Sequence, residues 1–230
     1  MLRSVALLLC LVLTARAHAD LVFFEDVGTT ASSSGQTIAS YSGFTSSLVF
    51  EGSIPASTVI TPSAQQSSGY AGASGGSQFG LLESSGQATD LIIRGIDTTL
   101  YVPNSFDLSF GLRKSLPVGF SRPLLIFATT NDVDFSLVDQ PFTLSNSNWQ
   151  QYTGIGLDLP SSTNLSLYIS KSPGVIAGID VFVDDIRLDA VTAVPEPSSF
   201  TLAFIGAATV LVRRKRQQRI GGQKTRRTKR

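Results

Sequence analysis

The chain has 230 residues, one Cys, one His and a formal net charge of +1, a length that accommodates one β-sandwich or barrel together with its ends. Its 42% hydrophobic content excludes a disordered chain, while 15% charged residues is low for a cytosolic globule. The charge is polarised. Residues 1–19 carry +2, residues 20–195 carry six basic and sixteen acidic side chains, and residues 196–230 carry ten basic side chains and one acidic.

The first 19 residues read as a secretory signal peptide with a helical apolar core. Arg3 supplies the positive start, and Val5 to Leu13 is an unbroken apolar run, too short to span a bilayer. Ala17-His18-Ala19 gives the small-x-small cleavage pattern, which makes Asp20 the first residue of the mature chain. Cleavage there removes Cys10 and His18, the only Cys and His of the sequence. The exported chain is thereby denied disulfides, Cys/His zinc sites, Ser-His-Asp triads, Cys-His dyads and any histidine base.

Residues 20–193 read as an all-β exported domain. Phe106, Leu108, Phe110 and Leu112 alternate with Asp107, Ser109 and Gly111, as on a strand with one buried face. Ile155, Leu157 and Leu159 alternate with Gly154, Gly156 and Asp158, and Leu165, Leu167 and Ile169 repeat the pattern. Leu21–Phe24, Leu48–Phe50, Leu91–Ile96, Leu124–Ala128, Phe135–Val138 and Ile179–Leu188 are further apolar segments. Turn formers such as Asn131-Asp132 and Ser172-Pro173-Gly174 separate them. About nine short strands with little helix predict a β-sandwich or jelly roll. The Gly- and Ser-rich stretches 28–43 and 62–86 read as long surface loops in preference to a binding rim at one end of the sandwich, since Ser and Gly alone supply little ligand chemistry. In the last segment either the apolar parity switches around Asp184-Asp185, which a β-bulge would permit, or both faces are covered there.

The C-terminal end reads Val194-Pro195-Glu196-Pro197, Ser198-Ser199, an apolar run from Phe200 to Val212, then Arg213-Arg214-Lys215-Arg216. The run is short for a roughly 30 Å hydrocarbon core. A basic flank marks a cytoplasmic side, so residues 198–212 read as a brief transmembrane helix held as a temporary stop. A cluster placed directly after an apolar run is explained by topology, and no nucleic-acid partner is expected. This order of elements resembles the PEP-CTERM sorting signal of Gram-negative bacteria. The resemblance covers residues 194–216 and implies recognition of Pro195, Glu196 and Pro197 by an exosortase, with residues 217–230 as a basic cytoplasmic tail. It implies a chain that meets the secretion machinery, rests transiently in the inner membrane, and passes to the envelope, cell surface or extracellular matrix.

Within the exported domain, Arg94-Gly95-Ile96-Asp97, Ser109 to Lys114, Val183 to Leu188, and Trp149 opening a strand are similar to secreted jelly-roll modules of the galactose-binding-like class. That resemblance implies a structural Ca²⁺ between first and last strands, for which Glu25, Asp26, Asp184 and Asp185 supply hard oxygen ligands. No other cofactor is implied. It also implies saccharide binding on a sheet face or loop rim, which needs exposed aromatics with flanking polar groups. Trp149, Tyr70, Tyr101, Tyr152 and Tyr168 are the candidates, but each reads first as core or rim packing, Trp149 and Tyr152 above all, and none is singled out.

The expectation is therefore a non-enzymatic, exported, sorted protein with a structural or adhesive β-sandwich. The alternative is a module that binds exopolysaccharide. A hydrolase would have to use carboxylate pairs or a Ser-Lys dyad, and Lys114 and Lys171 are the exported domain's only lysines.

Overall fold

The computed structural model describes residues 19–28, 35–62, 66–84, 86–116, 124–140, 147–172 and 179–193. The cleavage residue Ala17, the Pro195-Glu196-Pro197 tripeptide, the span at 198–212 and the cluster Arg213 to Arg216 lie outside them. Among the described residues no helix is long and apolar enough to cross a membrane.

Twelve strands run in chain order: β1 (Ala19–Glu25), β2 (Gln36–Thr37), β3 (Val49–Gly52), β4 (Thr58–Pro62), β5 (Ser77–Leu81) and β6 (Thr89–Ile96). They continue with β7 (Phe106–Lys114), β8 (Leu125–Thr129), β9 (Ser136–Asp139), β10 (Gln150–Leu157), β11 (Leu165–Lys171) and β12 (Val181–Val191). One 3₁₀ turn, Ile38–Ser40, follows β2. A five-stranded sheet has the order β3-β6-β11-β8-β9. A seven-stranded sheet has the order β10-β7-β12-β5-β4-β2, with β1 also on β12. Every pairing is antiparallel, and the molecule is the all-β jelly-roll sandwich that the alternation predicted.

The alternating apolar residues meet between the sheets. Phe106, Leu108, Phe110 and Leu112 of β7, with Val181, Val183, Ile186 and Leu188 of β12, share one core with Leu91 and Ile93 of β6 and Leu165, Leu167 and Ile169 of β11. Burial of such side chains contributes about 1.5–3 kcal/mol each against leaving them in water. Phe50 of β3 and Phe79 of β5 stack across the layers with centroids 5.5 Å apart. A second tie is polar: Tyr152 of β10 donates its hydroxyl hydrogen to Asp139 of β9 in the other sheet.

β12 organises the larger sheet. Its one edge pairs with β7 along most of its length. On the other edge β5 takes Val181 to Val183, and β1 takes Ile186 to Val191. The two neighbours change over at Asp184-Asp185, where the register against β7 shifts and Asp185 adopts φ of 53°. This bulge is the parity switch visible in the sequence.

Two expectations are corrected. The Gly/Ser-rich stretch 62–86 is not simply a loop, because it contains β5, whose five residues are all buried between β4 and β12. The short strand escapes alternation reading because both of its faces are covered. Likewise Ile155 does not share the inward face of Leu157 and Leu159. Gly156 takes φ of 66°, the register shifts between Gly154 and Leu157, and Ile155 is left 77% exposed.

Candidate functional site

Three places on the sandwich gather polar and aromatic side chains: the outer face of the five-stranded sheet, the β12 bulge, and a cleft over the seven-stranded sheet.

On the five-stranded sheet, residues alternate in and out, so Glu51 of β3, Arg94 of β6 and Tyr168 of β11 stand on the outer face. Arg94 Nε donates to Glu51 Oε2 at 2.7 Å, and Nη1 donates to Asp132 Oδ2 at 2.6 Å and Ser166 Oγ at 3.2 Å. Nη2 reaches the Tyr168 hydroxyl at 3.3 Å, and that hydroxyl donates to Asp132 Oδ1 at 3.1 Å. Asp132 is aimed by the turn after β8. Its φ is 58°, and its N–H is held by Thr129 Oγ1 at 3.0 Å. The Arg94 hydrogen bonds to Asp132 and Glu51 push the guanidinium further above its ordinary range, and the same Arg94 bond holds Asp132 below its own. Phe135, from the loop before β9, sets its ring edge-on to Tyr168 with centroids 5.0 Å apart and stays 47% exposed. The result is a presented aromatic pair beside a guanidinium locked in one orientation.

The four carboxylates of the expected Ca²⁺ site do not converge on one point. Glu25 is fully buried, and its two oxygens accept N–H groups of Val27 at 2.8 Å, Thr45 at 3.0 Å and Ser46 at 2.9 Å. Asp26 Oδ1 accepts the Gly28 N–H at 3.0 Å. Asp185 accepts the Tyr70 hydroxyl and the Ser74 N–H, the latter at 3.2 Å. Asp184 is buried, with Oδ1 accepting the Asp185 N–H at 2.9 Å and Oδ2 without a hydrogen-bond partner. Burial pushes Asp184 up to about 8, aided by the charges of Asp185 and Asp26 and opposed by Ser67 and the Asp185 N–H. Three of the carboxylates, Asp26, Asp184 and Asp185, are thus within electrostatic reach where β12 changes neighbours, while Glu25 fastens the segment before β3. Among the described residues no group of three or more His, Cys, Asp or Glu side chains is placed to hold a metal ion.

Asp185 also fastens the loop before β5 onto the outer face of the larger sheet. Tyr70 lies against Gly111 of β7, where any Cβ would collide with its ring. Burial, followed by the hydrogen bond to Asp185, raises the Tyr70 hydroxyl far above its ordinary value. Beside Tyr70 the Trp149 ring stands with centroids 6.4 Å apart, and the Arg113 guanidinium lies 5.6 Å from that indole and 4.3 Å from the Phe182 ring. Gln66, Ser68, Gly69, Asn148 and Trp149 line a cleft of about 590 Å³.

The five aromatic candidates therefore separate. Tyr152 is a core residue packed on Phe110 at 4.6 Å, and Tyr101 packs edge-on against Phe106 at 5.8 Å. Tyr70 and Trp149 border the cleft, and Tyr168 lies on the exposed sheet face. Sequence reading missed Glu51, Asp132 and Phe135 as its partners. The available signal was Arg94, the one basic residue in β6. Of the two lysines, Lys171 pairs with Glu83 at 3.1 Å, and Lys114 is fully buried, which lowers its pKa.

These features define an exported β-sandwich protein with a C-terminal sorting signal. Residues 193–216 match the family model described as the PEP-CTERM protein-sorting motif, which implies exosortase-dependent sorting in a Gram-negative bacterium. No curated protein matches the chain. Among solved structures, the sandwich is similar to the CBM22-1 xylan-binding domain from Paenibacillus barcinonensis Xyn10C, with 8% identity over 78% of this chain and all of that one and a TM-score of 0.47. It is also similar to TmCBM61, solved in complex with β-1,4-galactotriose, with 11% identity over 62% of this chain and 88% of that one and a TM-score of 0.37. A CBM29-2 mutant complexed with cellohexaose is similar with 11% identity over 76% and 93% and a TM-score of 0.42.

Proposed function

We propose that the protein is a non-catalytic, adhesive module that holds exopolysaccharide at the cell surface or in the matrix. In this reading Ala17 and Ala19 direct signal cleavage, residues 198–212 hold the chain briefly in the inner membrane with Arg213 to Arg216 on the cytoplasmic side, and an exosortase acts at Pro195-Glu196-Pro197. The observation that carries the binding role is the outer face of the five-stranded sheet. Phe135 and Tyr168 offer apolar ring surface for sugar C–H faces, and Arg94, Glu51 and Asp132 offer donors and acceptors already fixed in place. A side-chain network ordered before the ligand arrives lowers the entropy lost on binding. The non-catalytic role is supported by an exported chain that has neither His nor Cys.

The test is binding of the full chain to exopolysaccharide from the host that makes it. The double variant Tyr168→Ala, Phe135→Ala is expected to lose binding while keeping its unfolding temperature within a few degrees. Unchanged binding in that variant rejects this face. Sorting is tested separately by intact mass of protein from envelope and medium. Recovery only of chains ending at Arg230, in cells with an active exosortase, rejects processing.

A structural Ca²⁺ would be anchored by Asp184, whose buried Oδ2 is a hard oxygen without a donor, with Asp26 in electrostatic reach. Its chemistry there is neutralisation of the acidic bulge. A higher unfolding temperature in calcium than in chelator supports it, and equal temperatures remove the metal from the reading.

A further inference from the structure

By register, Leu137, Phe127, Tyr168, Ile92 and Glu51 lie in one row across β9, β8, β11, β6 and β3. Four strand spacings make that row about 19 Å long. Apart from the Tyr168 hydroxyl it is apolar as far as Ile92, so the polar contacts open to a ligand gather around Arg94, Glu51 and Asp132. The way those groups already pair decides which ligand they accept.

A guanidinium carries five N–H groups. Arg94 donates one from Nε to Glu51, two from Nη1 to Asp132 and Ser166, and one from Nη2 to the Tyr168 hydroxyl. One is left, whereas bidentate recognition of a carboxylate takes two side by side. The charges point the same way. Glu51 and Asp132, each about half exposed, outnumber Arg94 two to one, and Asp134 adds a third carboxylate from the same turn as Asp132. Free acceptors remain, because Glu51 Oε1 and Asp134 Oδ1 bond to none of the described residues. The face thus asks its ligand for donors. Sugar hydroxyls supply them, while an ionised uronate carboxylate is acceptor-only.

We propose that this face takes neutral, hydroxyl-rich polysaccharide and rejects polymers of acidic sugars. Glu51 and Asp132 set that selectivity, and Arg94 is a positioning residue that orients them together with Tyr168. The inference rests on the Tyr168 face being the saccharide site. A basic residue on such a face invites the opposite assignment, a counter-ion for an acidic polymer, and the filled N–H groups of Arg94 argue against it.

The test is calorimetric titration of the full chain in detergent with gluco- and galacto-hexasaccharides and with the same oligomers oxidised at C6 to carboxylates. Members of each pair then share ring, linkage and length. Binding that belongs to this face is the part lost in the Tyr168→Ala, Phe135→Ala double variant. At least one neutral oligomer is expected to bind, and its oxidised counterpart to bind about tenfold more weakly, the size of effect one unmatched charge has at a partly exposed site. Glu51→Ala frees the Nε N–H and removes one negative charge. It should narrow the gap within a pair severalfold, and the oxidised-oligomer binding it admits should weaken in salt. Arg94→Lys keeps the charge but not the planar fork. It should weaken neutral binding as much as Arg94→Ala does, with the unfolding temperature within a few degrees of wild type.

The outcomes separate. Equal affinity within a pair, or preference for the oxidised member, overturns the selectivity and leaves the Tyr168 face standing. A gap unchanged in Glu51→Ala overturns the assignment to Glu51. Full neutral affinity in Arg94→Lys overturns the positioning role of Arg94. Neutral binding that persists in the double variant, or no binding of any oligomer, overturns the Tyr168 face and this selectivity with it.

Discussion

The two outer faces of the sandwich spend their charges in opposite ways. On the five-stranded sheet Arg94, Glu51 and Asp132 pair in partial contact with water, with side-chain exposures of 27%, 47% and 48%. On the seven-stranded sheet Asp184 and Asp185 are covered by the loop that Tyr70 and Ser74 pin down. Exposed ion pairs contribute about 0–1 kcal/mol, because solvent screens them and two long side chains must be ordered. Buried carboxylates carry desolvation costs of several kcal/mol unless donors surround them. The first face is therefore built to present groups, and the second to hold the chain together. Substitutions on the two faces should separate binding from stability.

The largest expected effect is on the buried side of that contrast. Glu25→Ala removes the acceptor for the Val27, Thr45 and Ser46 N–H groups, and leaving buried donors unmet should cost about 3 kcal/mol or more. Urea unfolding measures it, and a loss below about 1 kcal/mol would show that the segment before β3 re-solvates freely. Next comes a pH effect at Asp184, measured in chelator. Its carboxyl is raised from 3.8 to about 8 in the fold, so the folded state keeps a proton that the unfolded chain releases. Stability should fall as pH rises from about 4 to about 8 and level off above that. Asp184→Asn should remove this group's part of the slope and unfold several degrees higher than wild type at pH 8.5. A wild-type slope that persists in Asp184→Asn places the titration elsewhere.

On the presented face the expected stability effects are small. Arg94→Ala should change unfolding free energy by less than about 1 kcal/mol while weakening saccharide binding, since the orientation of Tyr168 and Asp132 depends on it. A large loss of stability with unchanged binding would reverse the contrast between the faces. The smallest effect is at Ile155, which protrudes beside the Gly156 irregularity. Ile155→Ser should fall within about 0.5 kcal/mol of wild type in urea, as surface substitutions do. Destabilisation by 2 kcal/mol would mean that this side chain is covered in solution.

Fold class was legible because β7 and β11 keep strict alternation over seven residues, and β12 does so on either side of its bulge. The bulge was legible as one of two readings, because apolar residues of both parities around Asp184-Asp185 require either a bulge or a strand covered on both faces. β5 was not, since Ser77-Gln78-Phe79-Gly80-Leu81 has one aromatic, one leucine and a glycine. Its strand character comes from neighbours on both edges. The glycine is itself set by those neighbours, because a Cβ at position 80 would press on Thr61 and Leu82 at 3.1 and 3.4 Å. Ile155 was misplaced because a single positive-φ glycine reverses parity without altering composition. The Arg94 network was illegible for a different reason. Glu51, Arg94, Asp132 and Tyr168 come from four separate segments, and only strand register brings them together. The acidic residues were legible as a group, but which of them meets backbone N–H groups and which is left without a donor depends on loop closure.

The position of β12 bears on when this protein can fold. Residues Val181–Val191 form the last strand of the domain, and they sit between β7 on one side and β5 and β1 on the other. A chain threaded across a membrane from its N-terminus delivers eleven strands of the sandwich before the twelfth. Until Val191 emerges, β1 has no partner and the larger sheet is split into two unjoined parts. Closure must then wait on the slowest kind of contact, between segments some 170 residues apart such as Asp20 and Thr192. Completion of the sandwich therefore waits on its final strand, which joins the parts of the larger sheet that the earlier strands leave apart.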